Sequence, residues 1–298
     1  MVGGTGFIGY HLLKICKEKG WICTSISTKK PNSKRFLKKV NYIICDISKS
    51  QILRKKIKDN YDYVVNLGGH VDHTNKLKVL NSHYIGCKNL VKILINTNIK
   101  SFVQIGSGME YGTIKSPQKE SLIQKPKKIK SYYGKAKLLA TNYLKEVYKK
   151  KKFPFTVLRL YQVFGPKQDL NRFLPIVINS CLQNKKFPCT EGSQQRDFIY
   201  INDVTSAIIK SLINKSARGE IFNIGFGKPL TIRKITQIVN KQIGKGVPLY
   251  GKIKMRKDEV KKLYPNILKA KKKISWQPKV SFQKGLSRTI KSYLYDRK

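Results

Sequence analysis

Acidic residues are scarce in this 298-residue chain: 16 Asp and Glu stand against 62 Lys and Arg, leaving a formal charge of +46. Long apolar runs are missing as well. No stretch approaches the roughly 18 residues of a membrane span, and no basic, apolar and small-residue sequence marks the start for secretion. The expected compartment is the cytoplasm, with no membrane partner. Four histidines form no cluster at zinc spacing, and the six cysteines (Cys16, Cys23, Cys45, Cys87, Cys181 and Cys189) contain no CxxC pair. No metal is expected, and the cysteines are read as reduced, mostly buried thiols. So large a positive charge raises the local concentration of any polyanion. The Lys excess is nevertheless spread along the whole chain, so a nucleic-acid partner is not expected. The runs at 125–130 and 149–152 keep one rival reading open, a catalytically inactive RNA- or polyanion-binding protein.

What is present is a rhythm. Strand-like segments at 21–27, 41–47, 61–67, 101–107 and 155–161 alternate with helix-like segments at 8–19, 48–58, 76–97 and 133–151. Short apolar strands divided by helices predict an α/β fold, a Rossmann-like doubly wound parallel sheet buried on both faces. After about residue 166 the rhythm loosens, as expected of a smaller C-terminal α/β lobe. The expected division is 1–165 for the main α/β domain and 166–298 for the smaller lobe, with 198–224 packing back on the first. Only Met1 and Val2 precede the first glycines. The first strand is therefore expected to be truncated, with the natural start several residues upstream or the region supplied in another way.

Gly3, Gly6 and Gly9 open a helical pattern in the segment GGTGFIG. Positions without side chains let the backbone turn tightly and approach a pyrophosphate, whose charge is favoured by a helix N-terminus. The loop, including Phe7 and Ile8, is the candidate cofactor cradle. The second strand ends Ser25-Ile26-Ser27-Thr28-Lys29-Lys30, with no acid for a ribose 2′-hydroxyl. Hydroxyls and Lys there suit a 2′-phosphate, so of NAD and NADP the slight preference is NADP. Tyr133 and Lys137 lie at i and i+4, on one helical face. A Lys ammonium and an oxidised nicotinamide nearby would lower the phenol pKa and make it a usable acid or base. The spacing alone decides nothing, because Tyr10, Tyr84, Tyr111, Tyr148 and Tyr250 also have Lys four positions on. Tyr133 is singled out by its place about 26 residues after Ser107, which ends the strand SFVQIGS where open α/β sheets bind ligands. Ser107, Tyr133 and Lys137 are the candidate catalytic set, against a reading as an exposed helix pair and a capping serine.

Taken in order, these motifs resemble the NAD-dependent epimerase/dehydratase family of extended short-chain dehydrogenases/reductases. GGTGFIG at 3–9, CDI at 45–47, NLGG at 66–69, GSGMEYG at 106–112 and YGKAK at 133–137 are similar to its cofactor and catalytic blocks. LRLYQVFGP at 158–166, QQRDFIYINDV at 194–204, FNIGFGKP at 222–229 and KISWQPKVSFQKGL at 273–286 are similar to its substrate-lobe blocks. The resemblance implies that Asp46 and Ile47 meet the adenine, that Leu67, Gly68 and Gly69 lie beside the nicotinamide, and that Lys137 also holds the cofactor. It implies that Ser107, Tyr133, Gln162, Arg196 and Arg256 meet a nucleotide-sugar substrate, the two Arg clamping its diphosphate as planar guanidinium groups do. His83 and Gln162 stand where the family commonly has Asn; His70 and His73 are read as loop residues. Dehydratases of the family follow the catalytic Thr with an Asp-Glu pair, whereas Gly108 and Met109 follow Ser107 here, so 4,6-dehydration is disfavoured. Glu110 is one position late, which on a strand would turn it to the opposite face. The implied enzyme is an NAD(P)-dependent nucleotide-sugar epimerase or 4-ketoreductase of deoxysugar or surface-polysaccharide precursor synthesis, and the implied assembly a homodimer.

Overall fold

The computed structural model describes residues 1–57, 61–70, 74–122, 124–255 and 259–295. β1 (Cys23–Ser27) pairs in parallel with β2 (Val40–Ile44). β3 (Tyr63–Asn66), β4 (Ser101–Ser107), β5 (Phe155–Leu160) and β10 (Glu220–Ile224) form a second parallel block in the order β10-β5-β4-β3. Met1 and Val2 join the two blocks, for Val2 bridges Ile26 on one side and Asn66 on the other. The Val2 N–H donates to the Val65 carbonyl at 2.8 Å and the Gly3 N–H to the Ile26 carbonyl at 2.8 Å. Val2 thus lies between the two blocks, and the glycine turn leaves the middle of a doubly wound sheet.

Strands buried on both faces need helices on both faces. α1 (Phe7–Glu18) and α7 (Ile201–Ile213) cover one side, where Leu12, Leu13, Val204 and Ile208 pack on Val103, Ile105, Leu158 and Phe222. α2 (Ser50–Lys56), α4 (Gly86–Leu94) and α5 (Tyr132–Lys151) cover the other, through Leu53, Leu90, Leu94, Ala140 and Leu144. The helix expected over 76–97 is divided into α3 (Lys76–Leu80), a π-turn at 81–85 and α4. A π-turn places one extra residue in the helix and re-aims the side chains within it. Here it turns His83 inward.

The lobe is built from β6 (Gln162–Phe164), α6 (Phe173–Leu182), β7 (Lys186–Pro188), β8 (Gln195–Arg196), β9 (Phe198–Tyr200), β11 (Leu230–Thr231), α8 (Ile232–Ile243), β12 (Val247–Leu249), β13 (Lys262–Leu263) and α10 (Phe282–Tyr295). An aromatic nest of Phe164, Phe198, Tyr200 and Phe282 forms its centre. Between β9 and β11 the chain returns to the main body, where α7 packs on α1 and β10 pairs with β5. α9 (Leu268–Ile274) and the following Trp276 also join the α1-side core. All six cysteines are free, five of them buried. No helix among the described residues is long and apolar enough to cross a membrane.

Candidate active site

The glycine turn is shaped by contacts that tolerate no side chain. A Cβ at Gly9 would lie 2.3 Å from the Gly3 carbonyl oxygen, so α1 starts hard against the turn it follows. Gly3 takes φ +76°, a left-handed conformation that suits glycine. Gly6 is the N-cap of α1, with no side chain capping the helix's first N–H groups. Unsatisfied N–H groups at the start of a twelve-residue helix are what an anionic pyrophosphate fits. At the end of β1 the Ser27 hydroxyl is buried and has no hydrogen-bond partner. The Asn89 amide donates to the carbonyls of Ile47 and Ser48, each at 3.0 Å, fixing the turn in which Ile47 is buried and Asp46 exposed. Leu67 donates its N–H to the Val2 carbonyl at 3.1 Å, and Gly68 donates to the Asn66 side chain at 3.0 Å. Gly69 packs so closely on His83 that a Cβ there would sit 1.9 Å from the imidazole. These residues fit a dinucleotide: a bare turn, an uncapped helix and a loop pressed flat.

Ser107, Tyr133 and Lys137 come together at the C-terminal end of β4. The Ser107 hydroxyl is near enough to the Tyr133 phenol to pull its pKa down. The Lys137 ammonium lies 5.8 Å from the centre of the Tyr133 ring and donates to the Ile105 carbonyl at 2.6 Å. Burial lowers the Lys137 pKa to about 8, against the opposing pull of Glu110 and Cys87. Burial also raises the Tyr133 phenol above its ordinary value; the Ser107 hydroxyl and the Arg172 charge pull it down, and Glu110 pushes it further up. The groups acting on the phenol are thus Ser107, Glu110 and Arg172, while the Lys137 ammonium is turned to a backbone carbonyl. The edge of the Tyr133 ring meets His83, with centroids 5.1 Å apart. Gly108 has no room for a carboxylate, since a Cβ there would lie 2.8 Å from the Tyr161 ring.

On the lobe side, Gln162 is exposed and lines a cleft of about 260 Å³ together with Gln168, Asn171, Arg172, Phe173 and Phe198. Arg196 is buried and tied to Glu259, so its guanidinium already has a carboxylate partner. Arg256 and His73 lie outside the described residues. His70 donates its N–H to Ser82 at 2.9 Å, and its carbonyl meets the His83 ring at 3.2 Å.

Several residues near the site carry roles that sequence reasoning did not find. Glu110 is not on a strand: β4 ends at Ser107, and 108–111 form a 3₁₀ turn that swings the Glu110 carboxylate back beneath it. The expected strand alternation therefore does not apply. Arg159 pairs with Glu110 at 2.9 Å. Arg172 acts on Tyr133 from the lobe. Asp197 accepts the N–H groups of Phe226 and Gly227, each at 2.6 Å, and burial raises its pKa to about 7. Arg159 was visible as a charge inside an apolar strand, the one signal that could have exposed the pair.

A profile of the NAD dependent epimerase/dehydratase family matches residues 1–225. A UDP-glucuronate 4-epimerase of Thermodesulfobacterium geofontis is 30% identical over 217 residues, covering 71% of this chain and 64% of its own. The human dTDP-D-glucose 4,6-dehydratase is 25% identical over 318 residues, covering 98% of this chain and 89% of its own. Among solved structures, the UDP-glucose 4-epimerase of Thermotoga maritima with UDP-glucose superposes with a TM-score of 0.93 at 24% identity. That match covers 100% of this chain and 98% of the other, and it shows the shared fold.

Proposed function

This chain belongs to the NAD-dependent epimerase/dehydratase family, and from that membership we propose that it is a nucleotide-sugar 4-epimerase with Tyr133 as its acid and base. The observation that carries the reading is the joined set of Ser107, Tyr133 and Lys137 at the strand end, with no carboxylate at 108 or 109 and no space for one at 108. Relatives include both 4-epimerases and dehydratases. An elimination needs a carboxylate beside the catalytic hydroxyl, and here Tyr161 fills that volume.

Tyr133 takes the proton from a sugar hydroxyl and later returns it. Ser107 holds the same sugar oxygen and keeps it within reach of the phenol. Lys137, positively charged below about pH 8, supplies positive charge beneath the ring as the proton moves. The nicotinamide cofactor, when bound, supplies the hydride acceptor and donor. Gly3, Gly6 and Gly9 would hold its pyrophosphate. Lys29 and Lys30, both exposed, favour a 2′-phosphate, so NADP is the proposed preference. The cleft beside Gln162 and Arg172 takes the activated sugar, Arg172 contributing an anion contact while Arg196 is engaged with Glu259.

The test is a panel of nucleotide sugars incubated with each cofactor. Sustained interconversion of two 4-epimers with only catalytic cofactor is expected. Consumption of one reduced cofactor per sugar would replace the epimerase reading with a 4-ketoreductase using the same residues. Tight, salt-dependent binding of RNA without any turnover would overturn both.

A further inference from the structure

Beneath Ser107 lies an ion pair that the reaction itself does not call for. The Glu110 side chain is 0% exposed and that of Arg159 is 6% exposed. One carboxylate oxygen of Glu110 accepts the Ser107 backbone N–H at 2.9 Å. The other accepts the Arg159 Nε–H at 2.9 Å and the Thr141 hydroxyl at 2.8 Å. Thr141 stands one turn after Lys137 on α5, the helix that carries Tyr133. The carboxylate thus ties the end of β4, which presents Ser107, to the helix presenting Tyr133 and Lys137, with β5 as the anchor. Gly106 is bare where this carboxylate rests, since a Cβ there would lie 2.4 Å from it.

Buried ion pairs seldom add net stability, because desolvating two charges offsets their attraction, and apolar replacements are often neutral or better. A single brace among three elements of a reaction site has another use. The Ser107 Oγ accepts the Met109 N–H at 3.2 Å within the capping box that Glu110 completes. Ser107 is also a group that lowers the Tyr133 phenol pKa, so where its hydroxyl is held bears on Tyr133.

We propose that Glu110 is a positioning residue: its carboxylate, anchored on Arg159 and Thr141, fixes Ser107 against Tyr133. The inference rests on the epimerase reading for its consequence but not for its geometry. The charged and titratable groups facing Glu110 are Arg159 from β5, Tyr111 from its own turn, and Lys137 and Tyr133 from α5.

The test is a double-mutant cycle in which Ser107→Ala is introduced into the parent and into Glu110→Val/Arg159→Leu, which removes both buried charges together. The first readout needs no turnover. With 3-fluorotyrosine incorporated and the Tyr133 resonance assigned by its loss in Tyr133→Phe, Ser107→Ala is expected to raise the Tyr133 titration in the parent. In the braceless background that shift is expected to vanish. The second readout is kcat: Glu110→Val/Arg159→Leu is expected to lose roughly 30-fold or more with KM nearly unchanged, as misplacement of a reacting group does. Adding Ser107→Ala should then cost little further. An equal Ser107→Ala shift in both backgrounds would overturn the proposal. Thr141→Val cuts only the tie to α5 and keeps the ion pair, so it remains informative should the double variant not fold. It is expected to shrink the Ser107→Ala shift, and an undiminished shift in a folded Thr141→Val protein would overturn the brace. Absence of turnover on every nucleotide sugar, with the titration cycle behaving as expected, would remove the epimerase reading and leave the brace standing.

Discussion

The three groups proposed to react differ in how tightly each is held, and that decides what each substitution does. Tyr133 sits at the junction of Ser107, His83 and Lys137, so Tyr133→Phe removes one oxygen and leaves the packing of the ring intact. Its kcat is expected to fall about 10³-fold, the range of a lost acid-base group, while cofactor affinity measured by fluorescence titration changes little. In the proposed reaction Lys137 would set the alkaline limit. Its pKa is lowered to about 8 by burial, so the ammonium is complete below that pH and lost as pH rises through it. The kcat profile is expected to fall above about pH 8, and a plateau extending to pH 10 would show that the charge is not needed. The sequence pointed to these residues only through their position after a strand, since the Tyr–Lys spacing recurs across a Lys-rich chain. Glu110 was hidden for a different reason. Its direction depends on where β4 stops and the 3₁₀ turn begins, which alternation of residue types does not specify.

Among the elements, α1 and α5 are the ones whose starts matter for function. Gly9→Ala would drive a methyl group into the Gly3 carbonyl, forcing the turn open where a pyrophosphate must approach. We expect that variant to stay folded by circular dichroism and to lose most cofactor binding, measured by the rise in Tm that either dinucleotide gives the parent protein. α5 begins at a Ser131 cap that accepts the Gly134 N–H at 3.3 Å. Ser131→Ala is expected to cost about 1 kcal/mol in denaturant unfolding and, because Tyr133 is in the first turn, to lower kcat as well. Unchanged kcat would show that the first turn is held by packing alone. The glycine turn and α5 were both legible in the sequence, as a glycine spacing before an apolar periodicity and as a long helical pattern. The π-turn at 81–85 was not. It interrupts a segment whose apolar spacing reads as one helix, and it places His83 against Gly69 and Tyr133, partners distant in sequence.

At the scale of the whole molecule, the charge of +46 repels itself and lowers the stability of the compact state. Raising salt from very low levels to about 0.3 M screens that repulsion beyond a few ångströms, so Tm is expected to rise over this range. A fall would mean that specific ion pairs such as Arg35–Asp169, 2.7 Å apart, outweigh the general repulsion. The sequence by itself determined the α/β class, the strand and helix rhythm through 161, the glycine turn and the order of the motif blocks. Those follow from local periodicity and from backbone conformations that few residues adopt. Tertiary structure alone decided the tying of Arg196 to Glu259, the filling of the space beside Gly108 by Tyr161, and the brace of Glu110 with Arg159 and Thr141. Each of these joins residues far apart in the chain, and their pairing is fixed by the volume and charge left between packed elements.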